Sequence, residues 1–287
     1  MSATADASAA PEAAGETAKR RKRGLRLPPA SWADTALAAV VPAAFLAFWY
    51  FATRDRPASL IPPPGDVATT LYDMAFGGVN DDAFSGTLIN HILASLGRVY
   101  GGFALAAVAA LPLGLMIGRL PFVRRLLDPT LQLLRPIPVT AWLPLAMIMF
   151  GLGPRSAFFL VFLGAFYPIL LNTIFGVRSV EPRLFEAAAM LGCQGGMQFT
   201  RVVLPASLPG IFTGLRLGLG LAWFVIVVGE MTGIQTGLGA VIMDARQLSR
   251  TDVVITGMLI IGVLGFASDK AVAWIGRRLL AWSPNHG

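Results

Sequence analysis

Residues 180–209 read VEPRLFEAAAMLGCQGGMQFTRVVLPASLP. This is the longest polar interruption between apolar runs beyond the first part of the chain. Pro182 suits the opening of a helix, because its missing N–H falls among the first-turn donors that lack partners in any case. Arg183 to Leu191 are good helix formers. Gly192 ends that helix, since glycine adopts the left-handed conformation at little cost. Met197, Phe199, Val202 and Val203 then give a second, broken apolar face. The pairs Leu204-Pro205 and Leu208-Pro209 are expected to stop it and restart a long apolar helix. The segment 181–205 therefore predicts helix, glycine turn, helix between two membrane spans. Ala187, Ala188 and Ala189 leave a smooth surface against which another body can pack.

Outward from this stretch the chain is apolar. Hydrophobic residues make up 55% and charged residues 14%, against about a quarter charged in soluble domains. Several long apolar runs identify an integral membrane protein. The net charge of +7 sits mostly beside those runs, where it sets orientation and does not point to nucleic acid. The lone Cys193 excludes an intramolecular disulfide and a multi-cysteine metal site. His91 and His286 are far apart in sequence. No metal cluster or nucleophile–base pair is visible, which argues against a membrane-embedded enzyme.

In chain order, residues 1–33 form a polar tail that turns basic at Lys19-Arg20-Arg21-Lys22-Arg23; disorder is expected there. Thr35 to Ala52 is long enough to span, with Trp32, Trp49 and Tyr50 at the interfaces and Pro42 a kink candidate. Arg54 to Gly86 reads as an outer loop carrying a surface helix with an apolar face at Val67, Leu71, Met74 and Phe76. Leu88 to Gly118, roughly 31 residues, is ~46 Å as a helix, longer than the ~30 Å hydrocarbon core. Either its first part, with His91 and Arg98, lies at the outer interface or in a cavity, or the helix tilts and Arg98 snorkels. Arg119, Arg124, Arg125 and Arg135 mark a cytoplasmic turn.

The third span is placed at Pro136 to Phe150, with Pro136, Pro138 and Pro144 freeing carbonyls that must be buried or face a cavity. The fourth, Ala157 to Gly176, contains Tyr167, Pro168, Asn172 and Thr173, which either join helices or line a path. The fifth runs from Pro209 to about Thr232. Its glycines suit close helix contact; Arg216 snorkels or meets an acid, and Glu230 is placed to pair with an arginine. An outer loop from Gly233 to Asp252 carries a short helix at Ala240 to Leu248. A sixth span begins at Val253, with Asp269 and Lys270 a possible pair and Arg277 and Arg278 anchoring a cytoplasmic tail, 277–287. Residues 34–276 thus form one all-α membrane domain of about six spans with both termini cytoplasmic.

Glu186-Ala187-Ala188, three residues, Gly192, and then Leu204-Pro205 resemble the EAA loop of ABC importer permeases. The runs LLNTIFGVRSVEPRLFEAA before it and GLRLGLGLAWFVIVVGEM at Gly214 to Met231 are similar to the nitrate, sulfonate, taurine and bicarbonate branch of that family. The resemblance covers roughly residues 88 to 275. It implies a type I importer-like fold and a bacterial inner-membrane location. It implies a pair of such permeases, identical or not, two ABC ATPase subunits below and a periplasmic binding protein above, with membrane lipid around them. It places Glu186, Ala187, Ala188, Gly192, Phe199, Leu204 and Pro205 in a loop that docks on the ATPase. Glu186 either contacts that ATPase or makes an internal pair that shapes the loop. Arg98, Asn172, Arg216 and Glu230 are candidates to line the pathway. The chain has no G-x-x-x-x-G-K-[ST] motif, so no cofactor is expected on it; ATP and Mg belong to the partner. A stand-alone channel or gradient-driven carrier is the alternative, and would use intramembrane acids such as Glu230 and Asp269.

Overall fold

The computed structural model describes residues 32–54 and 61–280. Nearly all of the basic tail and the last seven residues lie outside that range. Among the described residues every regular element is helical. The chain divides into two units, Met1–Pro57 and Ala58–Gly287. The first contains α1, Trp32–Thr53, whose 22 residues run through Pro42 without a break. At ~1.5 Å per residue it is long enough for the hydrocarbon core. Most of its described side chains are exposed, Val41 and Phe48 by more than two-thirds, while Thr53 is buried.

In the second unit, α2 is Pro64–Phe76 and α3 is Leu88–Arg119. Helix α4, Pro121–Leu134, leads through a 3₁₀ turn at Val139–Trp142 into α5, Leu143–Phe150. Then come α6, Pro154–Arg178, and α7, Pro182–Met190. One helical turn at Gly196–Gln198 and a π-helical turn at Phe199–Val203 run directly into α8, Leu204–Glu230. Helix α9 is Leu238–Gln247 and α10 is Thr251–Leu279. Four of these stretches are long and apolar enough to cross a membrane, and five when the bent α4–α5 pair counts as one. The apolar part of α1, Ala39–Thr53, is shorter than these, so the described residues hold four or five such spans where about six were expected.

Several expectations are corrected. The third span does not begin at Pro136. Helix α4 fills the supposed turn, and the chain bends by 88° between it and the Val139–Phe150 segment. Pro136 and Pro138 interrupt the hydrogen-bond ladder there and disfavour helix at the residues before them. Helix α4 lays Val123, Leu127 and Leu131 against the core and leaves Phe122, Leu126 and Leu133 exposed. On α2 the buried face is Val67, Thr70, Asp73 and Met74, whereas Leu71 and Phe76 are exposed. A polar network decides that register. Thr70 donates to Asp252 at 2.9 Å, and Asp73 accepts from Ser85 at 2.6 Å and from the amides of Val79 and Asn80. The Ser85 hydroxyl, opposed by burial and aided by those amides, holds the Asp73 carboxyl below its ordinary value. Arg250 ties the same network together through Asp82 and Asp252.

Leu204-Pro205 and Leu208-Pro209 do not stop a helix. The π-helical turn lets Leu204 N–H bond the carbonyl of Phe199, five residues back, which makes room for the Pro205 ring where an α-helix would crowd it. Asp269 does not pair with its neighbour Lys270, because adjacent helical residues diverge around the axis. Asp269 takes a two-pronged bond from Arg216, at 2.9 and 2.8 Å, and Lys270 sits 5.1 Å over the Phe266 ring. Helix α10 continues to Leu279, with Arg277 and Arg278 in its last turn.

The core is built on α6. One side of it meets α3, where a Cβ on Gly102 would lie 2.7 Å from Val161. The other side meets α8, where the backbones themselves touch: a Cβ on Gly210 would lie 2.8 Å from the Cα of Gly176. Helices approach this closely only where side chains are absent, and dispersion over the whole contact holds them. Replacing Gly210 by Val is expected to destabilise the unit by about 1–3 kcal/mol through overpacking. Gly220→Ala, where nothing lies within 4 Å of the new carbon, is expected to leave stability equal or higher. Thermal unfolding in detergent compares the two.

Candidate functional site

Two places stand out, one at each end of α8. The first is the 181–205 segment. Pro182 is the first helical residue of α7, after Glu181 in extended conformation. Gly192 has φ +78°. Its N–H bonds Ala189 at 3.0 Å and the Cys193 N–H bonds Ala188 at 2.9 Å, the paired closure that satisfies helix-end carbonyls. The turn is therefore complete in itself while its side chains stay free. Met190 is 87% and Leu191 83% exposed, and Leu184, Glu186, Ala187 and Met197 are exposed too. Ala188 alone of the alanines is buried. Leu204 and Pro205 are half-buried, as is Phe199. Among the described residues Glu186 makes no ion pair, so an internal pair is not what shapes this loop.

What shapes it are contacts the sequence did not announce. Gln198 donates to the Phe185 carbonyl at 3.2 Å, and the Arg119 guanidinium, at the end of α3, lies 5.5 Å from the Phe185 ring centroid. The loop is thus tied to α3 as well as to α6 and α8. Nothing in the spacing of Arg119, Phe185 and Gln198 announces that contact, because they come from separate elements.

The second place is the far end of α8. The structure brings two of the four pathway candidates together there. Arg98 on α3 pairs with Glu230 on α8, their side chains 11% and 0% exposed. Ser95 donates to the same carboxylate, at 2.9 and 2.8 Å from its two oxygens, and the Gly239 amide bonds it at 3.0 Å. Arg98 also donates to the Thr236 carbonyl at 2.6 Å and its hydroxyl at 3.0 Å. The Gly237 and Leu238 amides bond His91 Nδ1 at 3.0 Å and Ser95 Oγ at 2.9 Å. Buried charges are tolerated when they are paired and hydrogen-bonded, and among the described residues no buried side-chain nitrogen or oxygen is left without a partner. Arg98 neither snorkels nor stands free. With Glu230 it locks α3, α8 and the start of α9. The other two candidates lie elsewhere. Asn172 donates to Pro168 within its own helix at 2.8 Å, with its Cβ against Gly214. Arg216 bridges α8 to Asp269 on α10. Ser95, Thr236 and Gly239 were not legible as partners. The glycine-rich 237–239 turn was their only signal.

Residues 110–281 match the family described as binding-protein-dependent transport system inner membrane component. The putative aliphatic sulfonates transport permease protein of Bacillus subtilis is 36% identical over 277 residues, covering 94% of this chain and 96% of the relative. The taurine transport system permease protein of Escherichia coli is 36% identical over 236 residues, 82% of this chain and 85% of that one. A chain of the MetNI methionine ABC transporter, solved in inward-facing conformations, shares the fold with TM-score 0.58 and 20% identity over 67% of this chain and 95% of its own. The protein described here belongs to the family of binding-protein-dependent transport inner-membrane components. It is a multi-pass membrane permease of the ABC importer class.

Breaking the Arg98–Glu230 pair on one side strands a buried charge. Arg98→Ala or Glu230→Ala is expected to cost about 3–5 kcal/mol. The double variant should cost less than the sum of the two, which a double-mutant cycle of thermal unfolding measures.

Proposed function

We propose that this chain carries a small anion, of the sulfonate, taurine, nitrate or bicarbonate kind, through a pair of permeases powered by separate ATPase subunits. A periplasmic binding protein delivers the anion. The 181–205 segment faces the cytoplasm and takes the ATPase stroke through Glu186, Ala187, Ala188, Gly192, Phe199, Leu204 and Pro205. The termini share that side. The observation that carries this is the self-contained turn of α7 with Met190 and Leu191 bare at its tip. A backbone that needs no partner, presenting apolar side chains that lack one, is what docking into a soluble subunit's groove requires. The two relatives named for sulfonate and taurine transport support the substrate class. The arginines at the ends of α3, α6 and α10, with Arg183 and Arg201, support the orientation.

The geometry supplies a route for the stroke. The loop is grafted between α6 and α8, whose backbones touch at Gly176 and Gly210. A push on α7 therefore moves both helices together and reaches the Arg98–Glu230 lock at the other end. Bound ATP and Mg reside in the partner, and substrate choice rests largely with the binding protein.

Purification of the tagged chain from its own membranes in mild detergent tests the assembly. An ATPase and a binding protein are expected to come with it, the latter to be screened against taurine, alkanesulfonates, nitrate and bicarbonate. A homo-oligomer that transports in vesicles without ATP would overturn the proposal. Gly192→Trp, strained at φ +78°, is expected to insert normally yet lower substrate-coupled ATP hydrolysis at least about tenfold, as loss of a productive contact of roughly 1.4 kcal/mol does. Normal coupled transport in this variant would refute the loop's role.

A further inference from the structure

The start of α9 is capped entirely from outside itself. Three successive backbone amides, Gly237, Leu238 and Gly239, point at three side chains: His91 and Ser95 on α3 and Glu230 on α8. These are donors that a helix cannot satisfy internally. No residue but glycine fits at 237, where a Cβ would lie 2.4 Å from the Glu230 carboxyl carbon, and φ there is +133°. The three caps differ in one respect. A hydroxyl accepts a hydrogen bond whatever the pH, and the Glu230 carboxylate is held by Arg98. Imidazole Nδ1 accepts one only while it carries no proton.

We infer that His91 is a positioning residue that holds the 236–239 turn on α3 when neutral and releases it when protonated, making the docking of this turn depend on the acidity of the face opposite the 181–205 loop. A proton on Nδ1 would face the Gly237 N–H, donor against donor. The cation would also stand in the first turn of α3 and at the first turn of α9, two helix N-termini that disfavour positive charge. The charged groups close enough to act on it are Glu230 of α8, Asp244 of α9 and Arg98 of its own helix. Glu230 is engaged by Arg98, so Asp244 is the one carboxylate left to favour the cation. The turn is the outer end of the α3–α8 lock, so its release frees the segment that joins α8 to α9.

Hydrogen exchange of the peptide spanning Gly237–Gly239, in the purified full chain and corrected for intrinsic rates, reads this directly and needs no partner subunit. Protection is expected to be level at neutral pH and to fall by up to about tenfold per pH unit once the pH drops below the free imidazole value of about 6.5. In His91→Asn the amide oxygen stands where Nδ1 stood and accepts at every pH. Protection should there be near the wild-type value at neutral pH and flat below it. Ser95→Ala should lower protection at all pH values and keep the slope. A wild-type protection that does not change with pH, or the same fall in His91→Asn, overturns the inference. A second measurement stands apart from the variant's folding. In a His286→Asn background the single remaining imidazole is titrated by NMR, and a midpoint that does not coincide with the loss of protection also overturns it.

Discussion

The contact between α6 and α8 is the constraint on which the rest depends. Inside a bilayer no hydrophobic effect drives helices together, since lipid tails are as apolar as leucine. What remains is close packing, and here it runs the length of both helices. Gly164, Gly176, Gly210, Gly214 and Gly218 lie along the seam, each so near the facing helix that a methyl group would collide or press hard on it. Two helices joined in this way resist sliding and twisting against one another. They behave as one beam, and α3 is laid on the other side of α6 by the same device at Gly102, Gly114 and Gly118.

Each end of that beam carries polar chemistry of a different sort. At one end the chain leaves α6, makes α7 and its glycine turn, and rejoins α8 through a π-helical turn. The carbonyls of Ala187, Ala188 and Ala189 at the turn are closed by its own amides, and Gln198 and Arg119 brace it through Phe185. At the other end α8 stops at Glu230, a carboxylate that on its own would be too costly to bury. Arg98, Ser95 and the Gly239 amide make it affordable. The same acid then holds the entry to α9. A stiff loop at one end and a charged lock at the other are what a lever between two faces of a membrane needs.

The region around α2 follows the same logic with different residues. Its inward face is partly polar, and Asp73, Asp82, Asp252 and Arg250 satisfy one another through Ser85, Thr70 and backbone amides. A hydrophobic stripe was expected at Leu71 and Phe76. Val67 and Met74 are buried as expected, but Thr70 and Asp73 take the remaining inward places, because leaving a buried carboxylate unpaired costs more than exposing a phenylalanine.

Local chemistry made much of this legible in the chain. Apolar run length gave most of the spans, Pro182 and Gly192 gave the limits of α7, and the spacing from Glu186 to Pro205 gave the family. These are properties of a few consecutive residues, and backbone sterics and hydropathy act over that range. What the tertiary structure decided involves residues far apart in sequence. Arg98 and Glu230 were each seen as charged groups within apolar runs, but that they meet, and that Ser95 and His91 join them at the 237–239 turn, depends on how α3 and α8 lie against α6. Arg216 likewise finds Asp269 across two helices, and the prolines at 205 and 209 proved compatible with one continuous helix, the wider turn at Phe199–Val203 making room for the first of them. Pairing across more than a hundred residues is set by the packing of whole helices, and no local pattern carries it.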